Sequence, residues 1–267
     1  MTPLFTITKD MNQSIRQQNR NFRLHPADFE EMERNQRANR RTEIDGRDLD
    51  AVRAMELTRL LAEDTPAGTI IRPLPYAEIA DDTPSTLNLV MQALGLYTFP
   101  TQELVGFLRS EIDDDPELEP HTAVEICAGT GWIGRSLGIP VTDSRIQERE
   151  DVRDMYMRFR AMPIRYPDDV EQLDALSAVR KYEPEFVIAS FCTHLFGTGS
   201  LKSGSSFGVD TRWVVRHCAR FYHIGNDDIH RRDPIMKMPH RRLSFPWLVT
   251  RGNSEHARIY VWENRSY

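Results

Sequence analysis

Residues 124–134 read V-E-I-C-A-G-T-G-W-I-G, and the rest of the chain is organised around them. Apolar residues alternate up to Ile126, the pattern of a buried strand. Gly129 and Gly131 then make a turn, and Trp132-Ile133-Gly134-Arg135-Ser136-Leu137 restarts with helical spacing. A strand, a glycine turn and a helix start form a corner that presents backbone N–H groups to a phosphate or nucleotide. Glycine lets a ligand approach the main chain closely.

The pattern Gly129-x-Gly131-x-x-Gly134 fits the dinucleotide fingerprint literally. That fingerprint wants an acid about 20 residues on, after a second strand. Here Asp143 follows Gly129 by fourteen residues, and the strand itself carries Glu125. A pyrophosphate is repelled by such a carboxylate, whereas a ligand with a cationic centre and an amino group is welcomed. A tight turn that binds nothing is the third reading.

The string E-I-C-A-G-T-G resembles motif I of class I S-adenosylmethionine (SAM)-dependent methyltransferases, (D/E)-x-G-x-G-x-G. Glu125 matches the acid, Cys127 replaces the first glycine, and Gly129 and Gly131 match the other two. The resemblance implies a Rossmann-like α/β fold, a three-layer sandwich with a mostly parallel sheet and an antiparallel C-terminal strand. It also implies SAM as cofactor, with the acid near its methionyl end and the glycines facing the nucleoside. Cys127 is a departure that narrows the turn.

With 267 residues, one large domain or a domain with an extension is expected. We place a helical N-terminal extension at 1–84 and the methyltransferase-like domain at 85–267. Net charge is −6, but residues 201–267 hold twelve Arg or Lys against six Asp or Glu. That excess permits a nucleic-acid acceptor and equally describes a solvated surface. The three cysteines, Cys127, Cys192 and Cys218, form no C-x-x-C pair, which argues against zinc and for a reducing cytoplasm. The start lacks the layout of a secretory signal, and no run is long enough for a membrane span.

The N-terminal part reads as helices: one opening at His25-Pro26-Ala27-Asp28, with Arg34, Arg37 and Arg41 on one face, and one over 48–62. In the second, Leu49, Val52, Met55, Leu57, Leu60 and Leu61 form the apolar side. Residues 97–104, Y-T-F-P-T-Q-E-L, place Thr101 as an N-cap before Leu104, Phe107, Leu108 and Ile112. This stretch resembles the segment before motif I in amino-methylating nucleic-acid methyltransferases, which lies over the methionyl part of SAM. Residues 113–120 are an acidic loop.

After the corner, Ile139-Pro140-Val141-Thr142 is a brief second strand followed by Asp143. The resemblance gives Asp143 the ribose hydroxyls; a turn or capping acid is the alternative. Residues 162–166 read as a third strand, and a helix starts at 167 with Asp168 or Asp169 in a capping box. By the resemblance Asp168 or Asp169 reaches the adenine amino group. Residues 185–191 form the fourth strand, whose carboxyl end borders the expected ligand crevice and makes Ser190 a cofactor-binding candidate. The family's (D/N/S)-P-P-(Y/F/W) is replaced by Ser190-Phe191-Cys192-Thr193-His194, so we do not assign an adenine- or cytosine-amino methyltransferase. His194 is the candidate general base, with a plain loop histidine as the alternative. Residues 196–208 are a Gly- and Ser-rich loop. Residues 219–224 are strand five, and 245–250 and 257–262 a closing hairpin. A SAM-fold module without catalysis and an NAD(P)-dependent oxidoreductase are the competing functions.

Overall fold

A computed structural model describes residues 49–113, 122–158, 163–195, 204–205 and 207–264. The helix at His25, the Arg34/Arg37/Arg41 face, the loop over 114–120 and most of 196–208 lie outside the described residues. The fold is mixed α/β with a mostly parallel sheet.

Helix α1 (Ala51–Leu61) is capped by Asp50, whose carboxylate accepts from Arg53 N. Strands β1 (Ala62–Thr65) and β2 (Gly68–Ile71) form a small antiparallel hairpin. Helix α2 (Pro84–Ala93) begins on Thr83, which accepts from Thr86 N, with Pro84 in the first turn, where its missing N–H costs nothing. Helix α3 (Gln102–Asp113) starts after Thr101, whose hydroxyl accepts from Leu104 N at 3.3 Å, the expected cap.

The sheet is built from β3 (Ala123–Ile126), β6 (Phe186–Ser190), β7 (Arg220–Asn226), β9 (Ala257–Glu263) and β8 (Arg241–Leu243), side by side in that order. β3, β6 and β7 are parallel, and β9 runs antiparallel between β7 and β8. Strands β4 (Thr142–Asp143) and β5 (Glu171–Gln172) pair in parallel. They continue the sheet beyond β3 through a parallel bridge from Glu125 to Val141 and the bond from Ala128 N to Thr142 O (3.0 Å).

Between the strands run α4 (Trp132–Leu137), α5 (Glu150–Arg158), α6 (Ala175–Tyr182), α7 (Thr211–Arg216) and the single turn α8 (Asp227–His230). Successive residues of a strand enter opposite faces. Phe186 and Ile188 of β6 join Leu57, Leu61, Val90, Met91 and Leu104 in one apolar cluster. Val187 and Ala189 join Ala178, Val179, Val214 and Trp262 in another. Residues of α1 and α2 thus share a core with the sheet on both sides of position 84.

Four readings are corrected. Val52, Met55 and Leu60 of α1 are exposed, and Ala54, Leu57 and Leu61 face the core. The third strand is Glu171–Gln172 and not 162–166, and its helix begins at Ala175 on the cap Asp174. The apolar spacing from Val170 had hidden a two-residue strand inside a helical pattern. The sixth strand is Arg241–Leu243, not 245–250. Pro246 offers no N–H to a ladder, and the chain turns there with Leu248 N on Phe245 O. The final strand is where it was read, but it is no simple hairpin partner of 245–250. Among the described residues no helix is long and apolar enough to cross a membrane.

Candidate functional site

The corner after β3 forms as the sequence indicates, and its backbone is wound tightly. Cys127, Gly129 and Gly131 all have positive φ (53°, 56° and 69°), and Gly131 leads into α4. Left-handed geometry is cheap for glycine and strained for Cys127. Gly134 is needed for packing, since a Cβ there would overlap the Val141 side chain. That is the close helix–strand approach a third glycine permits.

The two acids expected to face a ligand hold the turn itself. Glu125 is 1 % exposed, and its Oε2 accepts from Gly134 N at 2.7 Å. Burial pushes its pKa up to about 8, against the opposing pull of the Gly134 N–H and Arg135. At neutral pH Glu125 is therefore protonated, and it presents no charge to a sulfonium. Asp143 Oδ2 accepts from Gly129 N at 2.9 Å, and Oδ1 accepts from Arg145 N at 2.8 Å. Burial raises its pKa above the ordinary carboxylate value, opposed by those two N–H groups and the Tyr166 hydroxyl. Glu125, Cys127, Gly129, Gly131 and Asp143 are thus brought together. Ile164 covers the turn, its Cδ1 3.1 Å from where a Gly129 Cβ would stand.

Asp168 sits beside the turn between β1 and β2. It is exposed, with its N–H on Ala67 O at 2.9 Å. Asp169 pairs with Arg135 at 2.7 Å. Neither opens a helix, because Asp174 caps α6 through Leu176 N and Ser177 N.

At the end of β6, Ser190 Oγ lies 2.8 Å from Thr98 Oγ1. The Tyr97 segment is held there by Phe99 N on Val249 O and Arg251 N on Tyr97 O, both 2.9 Å. Phe191 then turns left-handed at φ 53° and stacks on Tyr97 with centroids 5.5 Å apart. The Arg251 guanidinium sits 4.2 Å over the other ring partner, Tyr97. Just beyond, Cys192 Sγ accepts from Cys127 Sγ at 3.3 Å. No spacing rule pairs residues 65 positions apart, so this contact was invisible in the sequence.

His194 has different neighbours. It is 7 % exposed, and its Nδ1 lies 3.9 Å from Asp233 Oδ2. Asp233 is fixed through Oδ1, which accepts from Thr211 Oγ1 (2.9 Å) and Ile235 N (3.0 Å). Oδ2 has no hydrogen-bond partner among the described residues. His230 Nδ1 lies 3.0 Å from Asn226 N and 3.1 Å from Asn226 O. Burial pulls the pKa of His230 down to about 4, and that of His223 well below the usual range. Asp233, His223 and His230 were not singled out by sequence, since nothing in their spacing joins them to His194. Among the described residues no group of three or more His, Cys, Asp or Glu is arranged to hold a metal ion.

Three of the C-terminal arginines are paired with acids. Arg241 binds Glu111 (2.7 Å) and Glu263 (3.3 Å), and Arg242 and Arg258 both bind Asp227. Asp227 and Glu263 are already counted in the balance of residues 201–267, so of these partners only Glu111 offsets its basic excess.

No protein-family model matches the chain, and no curated protein matches it. Among solved structures it is similar to a Thermoplasma acidophilum protein, at 15 % identity over 68 % of this chain and 97 % of that one, with a TM-score of 0.32. It is also similar to the mitomycin 7-O-methyltransferase MmcR, at 12 % identity over 72 % of this chain and 61 % of that one, with a TM-score of 0.25.

Proposed function

We propose that this protein binds SAM at the corner after β3 and transfers its methyl group to an acceptor at the carboxyl edge of the sheet. One observation carries the reading: Asp143, at the end of β4, clasps the glycine turn that ends β3. That clasp sits in a mostly parallel sheet whose last strand runs antiparallel between its neighbours, the order that the motif I resemblance implies.

The residues fit the nucleoside half of SAM better than its methionyl half. Each oxygen of Asp143 accepts one backbone N–H, and a carboxylate oxygen has capacity for two donors. With the Tyr166 hydroxyl also on the carboxylate, Asp143 retains room for one further donor, a single ribose hydroxyl. Glu125 is neutral and occupied, so we assign it to the turn and not to the cofactor. Asp168 is given no cofactor role, because it lies exposed beside Ala67. Bound SAM supplies an activated methyl group on a sulfonium. The chain positions the acceptor with Ser190, Phe191 and Tyr97, and positioning supplies much of the rate in such transfers. His194 accepts the acceptor's proton, with Asp233 oriented toward it.

A binding module without turnover is the second reading. It is favoured by Ile164 over Gly129 and by the inward carboxylate of Glu125. Calorimetry with S-adenosylhomocysteine tests the shared premise: the wild-type chain binds it and Asp143→Ala does not. Binding of SAM without turnover on nucleic-acid or small-molecule acceptors supports the module. No binding of either, with NADH raising the melting temperature, would overturn both readings in favour of the dinucleotide one.

A further inference from the structure

We propose that Cys127 and Cys192 form a dithiol modification site, which peroxide closes reversibly to a disulfide. The proposal does not depend on SAM binding or on catalysis.

The two sulfurs are already in contact at 3.3 Å, although 65 positions separate the residues. They follow adjacent parallel strands, with Ile126 opposite Ala189 in the register. Both cysteines stand at unusual backbone. Cys127 itself has φ 53°, and Phe191, immediately before Cys192, has φ 53°. Left-handed backbone is sterically costly for residues other than glycine. Here two such residues turn the strand ends so that the thiols meet. Cys127 is partly exposed and Cys192 is buried, so the peroxide meets Cys127 first.

The step balances in two stages. The Cys127 thiolate attacks one peroxide oxygen, giving a sulfenic acid and hydroxide. The Cys192 sulfur then attacks the Cys127 sulfur, the S–S bond forms and water leaves. Overall two thiols and one hydrogen peroxide give one disulfide and two waters. Thiol reductants reverse it by exchange.

The surroundings set the pace. The hydrogen bond to Cys192, burial, and the carboxyl groups of Asp143 and Glu125 hold the Cys127 thiol well above its usual pKa. The thiolate is scarce at pH 7 and increases about tenfold per pH unit. Cys218 donates to Val214 O at 3.3 Å and is buried, away from the pair. It serves as an internal control.

The test uses the full chain exposed to hydrogen peroxide at pH 8.5, then alkylated and mapped by mass spectrometry without reduction. The expected result is one linked peptide pair containing Cys127 and Cys192, with free thiols falling from three to one and returning to three with dithiothreitol. Cys218→Ser should give the same linked pair, with free thiols falling from two to none. Alkylation of both Cys127 and Cys192 after peroxide treatment would overturn the proposal. So would a bond to Cys218, or a linked pair that forms only in urea. Because the wild-type chain carries the readout, no cysteine variant has to fold for the test to decide.

Discussion

Replacing Glu125 by glutamine isolates the energetic consequence of a carboxyl group buried at the glycine turn. In the folded chain Glu125 keeps its proton up to about pH 8, while its ordinary value is 4.5. Between those values the unfolded chain binds fewer protons than the folded one, so raising the pH favours unfolding. At about 1.4 kcal/mol per pH unit, keeping Glu125 protonated costs the wild-type fold about 3 kcal/mol by pH 7 and about 4 kcal/mol by pH 8. Glutamine keeps a carbonyl oxygen for Gly134 N–H and carries no charge at any pH. The stability of Glu125→Gln relative to wild type should therefore climb by about 1.4 kcal/mol per unit from pH 4.5 to pH 8. It should be flat on either side. Urea denaturation at pH 5, 6, 7 and 8, followed by tryptophan fluorescence, measures it; Trp132, which opens α4, is buried beside the turn. A difference between the two proteins that stays constant across this range would refute the reasoning. It would mean that the carboxylate ionises in the fold at no cost and is not desolvated.

Other outcomes follow from the same geometry. Gly134→Ala should destabilise by about 1–3 kcal/mol or more, because its methyl overlaps Val141; thermal denaturation reads this. Asp143→Ala strips the acceptors from Gly129 N and Arg145 N and should cost about 1–3 kcal/mol for each buried N–H left unpaired. The same variant should lose S-adenosylhomocysteine binding at a temperature where circular dichroism shows it folded. Glu183→Gly should raise stability by about 1 kcal/mol, since Glu183 ends α6 at φ 44°, where glycine pays no steric penalty; chemical denaturation measures the gain.

The elements that could be read from the chain are those whose burial shows as local pattern. The corner, β6 and β7 are mainly apolar stretches ending in turn residues, and each lies close to where it was expected. Thr101 capping α3 and Gly95 following α2 were equally legible, because caps depend on one or two neighbouring residues. Strands β5 and β8 were not, since Glu171-Gln172 and Arg241-Arg242-Leu243 carry no alternating apolar signal. Their backbone is extended because a neighbouring strand pairs with it, which is a tertiary effect. The site divides in the same way. That Glu125, Gly129, Gly131 and Asp143 belong together followed from the resemblance to motif I and its second-strand acid. That the acids turn inward did not, because it depends on which N–H groups come within reach. The positions of Asp233 beside His194, and of Cys192 beside Cys127, depend on long-range packing alone.

The insertion of β9 between β7 and β8 has a consequence for how the chain is made. Strand β7 is complete at Asn226, yet its outer partner begins only at Ala257. During synthesis the growing polypeptide therefore carries an unprotected sheet border for some thirty residues. Strand β8 emerges within that interval with the wrong neighbour nearest to it, because its own partner is also β9. Direct docking of β8 on β7 would be a trap that must open before the late strand slips in. The two arginines that begin β8 both find acids in the finished fold, Glu111 and Asp227. Their charge, set along so short a segment, disfavours the premature pairing and leaves the gap open for the strand that belongs there.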